Sequence, residues 1–281
     1  MPGTGASSKL YLTGMRRNKA GRLVKTDKTK MVKRYVKKQI DAGKETGEKL
    51  GVSPGGTGSG TNYANYAFPG RPSTQNDLIN LNLPIPQGDK RDNRSGSKVK
   101  LVSHRCEFMF HVPPAFDATS SASASIQCRL LVLSARNFRR YSEFTTEWSP
   151  GSSQLYRKYL RNGSEETSFQ GDLWSLQWPV NTANFITHAD KRFTLNRGRL
   201  QGLSSSSSEG CTRIPDVIKR INVNLKVKNK KLEWSDADLD EYNGYAPFAI
   251  LLYAPTNGSV STTSPGIVNG NCYIKMNWKD M

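Results

Sequence analysis

From about residue 98 onward, apolar and polar side chains alternate with a period of two, the spacing at which successive side chains leave a strand on opposite faces. In the run Val102-Ser103-His104-Arg105-Cys106-Glu107-Phe108-Met109-Phe110-His111-Val112 the even positions are mostly apolar and the odd ones mostly polar. Val217, Ile221, Val223, Leu225 and Val227 likewise alternate with Arg220, Asn222, Asn224, Lys226 and Lys228, and Cys272, Ile274, Met276 and Trp278 with Tyr273, Lys275, Asn277 and Lys279. Ile126 to Leu133 reads as a strand that becomes apolar on both faces, and Pro247 to Ala254 as a buried one. Phe185 to Leu195 predicts a hairpin turning at Thr187-His188-Ala189-Asp190. Such strands, broken by Gly, Pro and Ser clusters, predict an all-β sandwich or barrel over residues 98–281.

The intervals between these strands are long. Residues 136–180 hold a short predicted helix at Gln154 to Arg161 and a Trp174/Trp178 pair, and residues 201–216 hold the polar tract Ser204 to Ser208. Long loops on a sandwich carry contacts or function, so these read as subunit-contact and outer-surface loops.

Upstream the pattern is different. Residues 53–97 begin with Ser53-Pro54-Gly55-Gly56-Thr57-Gly58-Ser59-Gly60 and read as a flexible linker followed by an extended arm. Residues 1–52 read as a basic tail. Charge sharpens that division. The chain of 281 residues carries a formal net charge of +18. Its first forty residues hold twelve basic side chains (Lys9, Arg16, Arg17, Lys19, Arg22, Lys25, Lys28, Lys30, Lys33, Arg34, Lys37, Lys38) against the single acid Asp27. A segment so charged and so poor in large apolar groups cannot offset its ordering entropy by burial. Asp27 to Gly43 is expected to turn helical once neutralised, with Asp27 as N-cap, Val32, Val36 and Ile40 at helical spacing, and Gly43 as stop.

Spaced cations on a pliant chain neutralise phosphates without reading base sequence. The twelve residues are therefore the candidate nucleic-acid-binding set, with Tyr11 and Tyr35 placed among them to stack on bases. Lys33, Arg34, Lys37 and Lys38 also form a candidate nuclear-import signal.

Enzyme chemistry is not legible. The sequence lacks GxSxG, HExxH and a complete phosphate-binding loop, since Gly43-Lys44 has neither the upstream Gly nor the following Ser or Thr. His104 and Cys106 share one strand face and His111 points to the other, so they do not converge on a metal. His188 beside Asp190 reads as part of a turn, and Asp236, Asp238, Asp240 and Glu241 as a solvated loop with at most a divalent-cation site. Cys106, Cys128, Cys211 and Cys272 lie far apart without a CxxC pair, which implies a reducing setting. No run reaches the roughly 18 apolar residues of a spanning helix, and no secretory signal is read at the N-terminus. The expectation is a non-enzyme without cofactor, metal or membrane insertion.

Three stretches carry a resemblance. Ile186-Thr187-His188-Ala189-Asp190-Lys191-Arg192-Phe193-Thr194-Leu195 is similar to the strand pair bearing D-[KE]-R-F in geminivirus-like coats. Lys219-Arg220-Ile221-Asn222-Val223-Asn224-Leu225 resembles the basic strand that follows it, and Ala249-Ile250-Leu251-Leu252-Tyr253-Ala254 with Cys272 to Trp278 resembles the closing strand pair. The chain thus resembles capsid proteins of Rep-encoding circular single-stranded DNA viruses, the group around geminiviruses and circoviruses. The resemblance implies an eight-stranded jelly roll, a small symmetric shell of many copies of the chain, and a tail facing inward onto circular single-stranded DNA. It further implies a place in the virion and, during infection, in the host nucleus, with import receptors as partners. The tail is richer in Lys than the Arg-dense circovirus type, and the Cys/His pattern of many geminivirus coats is not evident. Lys219, Arg220, Lys226 and Lys228 are read as lining an inner surface. Competing readings are a jelly-roll coat that packages RNA and a non-structural nuclear shuttle or movement protein that binds DNA without forming a particle.

Overall fold

The computed structural model describes residues 15–17, 23–25, 46–53, 66–88, 93–112, 125–149, 154–196, 218–227, 230–235, 238–258, 260–261 and 265–281. The chain divides into two units, Met1–Glu45 and Thr46–Met281. In the first, β1 (Met15–Arg17) pairs antiparallel with β2 (Leu23–Lys25), matching Met15 to Lys25 and Arg17 to Leu23. This short ladder was not legible as a strand pattern. The helix expected at Asp27 to Gly43 lies outside the described residues.

The second unit is built from antiparallel sheets, as the alternation predicts. The strands are β3 (Thr46–Ser53), β4 (Tyr66–Pro69), β5 (Ile79–Asn80), β6 (Lys98–His111), β7 (Ser125–Ala135), β8 (Leu160–Asn162), β9 (Glu165–Thr167) and β10 (Phe185–Asn196). They continue with β11 (Ile218–Asn224), β12 (Lys231–Ser235), β13 (Asp238–Asn243), β14 (Pro247–Pro255) and β15 (Pro265–Asp280). A four-stranded sheet runs β10-β7-β14-β5. In the larger sheet β6 and β15 lie side by side, and each free edge is shared. β11 and β12 take the two ends of β6, while β4 and β3 take the two ends of β15. The segment read as linker and arm thus supplies β4 and β5, together with core residues such as Phe68, Ile79, Leu81 and Ile85. β3 carries the sheet back to Thr46, before the expected boundary at residue 53.

The core lies where the two sheets contribute to one cluster. Cys106, Phe108 and Phe110 of β6 and Ile274, Met276 and Trp278 of β15 join Cys128, Leu130 and Val132 of β7 and Leu251 and Tyr253 of β14. Each large apolar side chain so buried contributes about 1.5–3 kcal/mol. Gly270 is required here, because a Cβ at that position would stand 2.5 Å from the Met109 carbonyl oxygen.

The runs that looked apolar on both faces are explained by a second core. The other face of β7 and β14 presents Leu131, Leu133, Phe248, Ile250 and Leu252 to the interval between β7 and β10. That interval folds back with α1 (Tyr141–Trp148), whose Phe144 stacks on Phe248 with ring centroids 4.3 Å apart. Trp148, Tyr159, Phe169 and Leu176 complete the cover. Within it β8 and β9 form a hairpin whose turn places Gly163 at φ 63, a conformation glycine adopts freely. The helix expected at Gln154 to Arg161 is reduced to a 3-10 turn at Leu155–Arg157 that leads into β8. Among the described residues no helix is long and apolar enough to cross a membrane.

Three sequence expectations are corrected. Phe185 to Leu195 is not a hairpin but part of one twelve-residue strand, β10, paired along its length with β7 and interrupted by a bulge between Thr187 and Ala189. Val102 does not belong to the apolar face of β6. The register slips between Asn277 and Trp278 of β15, and Val102 is left half exposed while Leu101 and His104 on either side are buried. Lys219 sits opposite Phe110, at the same parity as Ile221 and Val223, so it does not share a face with Arg220 and Lys226.

Candidate nucleic-acid interface

Of the twelve tail cations, Arg16 and Arg17 lie in β1 and Lys25 in β2. Lys9, Lys19, Arg22, Lys28, Lys30, Lys33, Arg34, Lys37 and Lys38 lie outside the described residues, as do Tyr11, Tyr35 and Lys228.

The solvent face of the larger sheet carries a second set of cations. β15 buries its even positions and β6 buries odd ones before the bulge at Val102 and even ones after it, so Lys98, Lys100 and Arg105 of β6 and Lys275 and Lys279 of β15 point outward. Arg220 of β11, Lys226 just beyond it and Lys231 of β12 are exposed beside them. Register brings three of these into one row, since Lys279 and Lys231 both lie opposite Lys100, one on each side. A second row joins Lys275, Arg105 and Asn224. Four residues separate Lys275 from Lys279, so the rows are about 13 Å apart along the strand. The acids on this face include Glu107, Glu233, which is taken up by Lys98 at 3.3 Å, and Glu48 of β3, whose register sets it opposite Asn277 between the rows.

Like charges directly opposite one another across a ladder oppose pairing. Three lysines abreast therefore concentrate positive charge that a polyanion lying over the sheet would offset. Beyond the Lys275 row, opposite Glu107, Tyr273 is 41% exposed and offers a ring to an unpaired base. The signal for this face was present as Lys-x-Lys at Lys98 and Lys100 and as Lys275-x-Asn277-x-Lys279. Only the register, which is a long-range property, assembles it.

The residues examined for catalysis and metal binding take other roles. His104 is buried with its Nδ1 3.2 Å from the Tyr245 hydroxyl, and Cys106 follows it on the core face while His111 lies on the opposite one. The neighbouring Cys272 thiol, and after it His104, draw the Cys106 thiol down against burial, yet both thiols are at most 2% exposed. Burial pushes the Cys128 and Cys272 thiols up, away from nucleophilic character. Cys106, Cys128 and Cys272 are free thiols.

Glu241 accepts hydrogen bonds from the Ser142 backbone N–H and hydroxyl, holding the first turn of α1. Asp238 and Asp240 lie in β13, and Asp236 is outside the described residues. Among the described residues no group of three or more His, Cys, Asp or Glu side chains is arranged to hold a metal ion.

His188, expected in a turn, is the extra residue of the β10 bulge, and its Nε2 lies 2.9 Å from the Ser134 hydroxyl. Burial, followed by the nearby His104, Lys230 and Lys226, holds its imidazole down to about 4. Asp190 does not orient it. The Arg129 guanidinium donates to both Asp190 carboxylate oxygens, from Nε at 2.9 Å and from Nη2 at 2.7 Å. The remaining residues of that stretch are structural in the same way, with Arg192 donating to the Gln177 side chain and Phe193 entering the core. No family model matches the chain, and no curated protein matches it.

Proposed function

We propose that this chain is a viral coat protein that assembles into a small icosahedral shell and packages circular single-stranded DNA, as in the group around geminiviruses and circoviruses. The observation that carries the reading is strand order. Taking β4, β5, β6, β7, β10, β11, β14 and β15 as eight successive strands, the larger sheet runs first, eighth, third, sixth and the smaller runs second, seventh, fourth, fifth. That interleaving supports the reading of an eight-stranded jelly roll, a fold that leaves long loops at its ends for contact with neighbours.

The electrostatics support the same reading. A tail of twelve cations suits an irregular polyanion, and the lysine rows of the larger sheet add a fixed cationic surface. Binding of this kind is independent of sequence and falls steeply with salt.

The test is to replace Lys33, Arg34, Lys37 and Lys38 together by alanine in the full chain and measure the nucleic acid recovered with the purified protein. The expected result is less nucleic acid at unchanged folding of the body, with the wild-type content digested by deoxyribonuclease. Content digested only by ribonuclease contradicts the DNA assignment, and unchanged content contradicts the role of the tail.

A further inference from the structure

Beside the bulge of β10 a cavity of about 240 Å3 opens at the edge where β7, β10 and the turn entering β14 meet. Its polar lining is Ser134, Arg136, Arg139, His188, Lys230 and Tyr245. Among the described residues no aspartate or glutamate lines it. In that respect it differs from the cavity lined by Arg71, Arg157 and Glu166, and from the one lined by Tyr141 and Glu241. Arg136 donates from Nε to the Thr182 carbonyl at 2.8 Å, which fixes its guanidinium at the rim. Arg139 and Lys230 are exposed at the same mouth. Phe138 and Ile186 form an apolar wall beside these cations.

Resting on the coat reading above, we propose that this cavity is a phosphate site that takes one backbone phosphate of a bound single strand, with its sugar against Phe138 and Ile186. The chemistry fits on three counts. Arginine and lysine side chains from two separate segments converge with no acid among the described residues of the lining, which is the donor set a phosphate requires. The Ser134 hydroxyl and the His188 ring add two hydrogen-bonding groups held together by the bulge. The volume is below the roughly 300 Å3 at which whole small-molecule pockets begin, and so admits a phosphate with part of its sugar rather than an entire nucleotide.

The positive field at the cavity is felt by His188 itself, whose imidazole is depressed by burial first and then by His104, Lys230 and Lys226. Lys230 immediately precedes Lys231 of the lysine row, so a strand following the solvent face of the larger sheet reaches the cavity at its edge.

The experiment is calorimetric titration of the full-length protein with a 5′-phosphorylated thymidine dinucleotide at about 0.2 M salt, where diffuse binding to the tail is suppressed. Saturable binding is expected, and Arg139→Ala with Lys230→Ala should weaken it tenfold or more. Arg157→Ala, in the other cavity, should leave it unchanged. Inorganic phosphate should bind more weakly than the dinucleotide, and equal affinity would reduce the site to a simple anion pocket and overturn the strand assignment. Unchanged affinity in the Arg139/Lys230 double variant also overturns it. DNA-filled particles without dinucleotide uptake refute the cavity and leave the coat reading standing; uptake by a protein that forms no particles does the reverse.

Discussion

Asp190 of β10 lies diagonally across the ladder from Arg129 of β7 and takes both of its forked donors, while Arg129 Nη1 donates onward to the Leu176 and Trp178 carbonyls at 2.9 and 2.6 Å. One guanidinium, 1% exposed, therefore ties the edge strand of the smaller sheet to the cover of the second core. Asp190→Ala removes the counter-charge and leaves a buried cation with carbonyls alone. The expected loss is about 3 kcal/mol in chemical denaturation, toward the lower end for a broken buried pair because the Asp190 side chain is 34% exposed. Asp190→Asn, which keeps an acceptor, should lose less.

Phe144 tests the second core separately from the first. Its ring is fully buried against Phe248, Trp148 and Tyr141. Phe144→Ala should cost about 3–5 kcal/mol. Because Phe144 belongs to the cover and not to the inter-sheet core, hydrogen exchange should rise first in α1 and the 155–180 segment. Uniform loss of protection over β6 and β15 instead would mean that the two cores are one cooperative unit.

The lysine row predicts opposite signs for stability and binding. Lys100→Ala relieves repulsion from Lys231 and Lys279 and should stabilise the body by a few tenths of a kcal/mol. The same change should weaken single-stranded DNA binding and reduce the slope of log affinity against log salt by about 0.7. Thermal denaturation and a salt-dependent binding series read the two effects independently. A variant both less stable and unaltered in binding contradicts the interface.

His188 gives a pH signature. Its folded value of about 4 lies below the ordinary 6.5, so between these limits the unfolded chain takes up a proton that the folded one refuses. Stability attached to the neutral ring is complete above about pH 6.5 and is lost as pH falls toward 4, by up to about 1.4 kcal/mol per pH unit. Residual solvent access to the ring reduces that figure. His188→Gln should therefore show a shallower fall in denaturation midpoint between pH 7 and 4.5 than the wild type. Parallel curves would place the titration elsewhere.

The alternating strands were readable because each buries one parity against a common core: Val223 in β11 and Ile274, Met276 and Trp278 in β15 sit where their spacing puts them. What covers Phe248 and Leu133 was not readable, since a run apolar on both faces does not say which distant segment lies over it. The bulges at Val102 and His188 escaped because one extra residue changes parity without changing composition. Lys100, Lys231 and Lys279 were missed as a site for a related reason. Each is an ordinary surface lysine until pairing sets them abreast. The tail is an expectation from charge alone, and within it Arg16, Arg17 and Lys25 lie in a short ladder that charge does not announce.

The central claim is closed assembly. Electron microscopy of the purified full-length protein should show uniform, closed, near-spherical particles whose ultraviolet absorbance ratio reports enclosed nucleic acid. A population of monomers or dimers that binds DNA in a salt-sensitive manner, with no particles at any concentration tested, would contradict it and favour a shuttle protein.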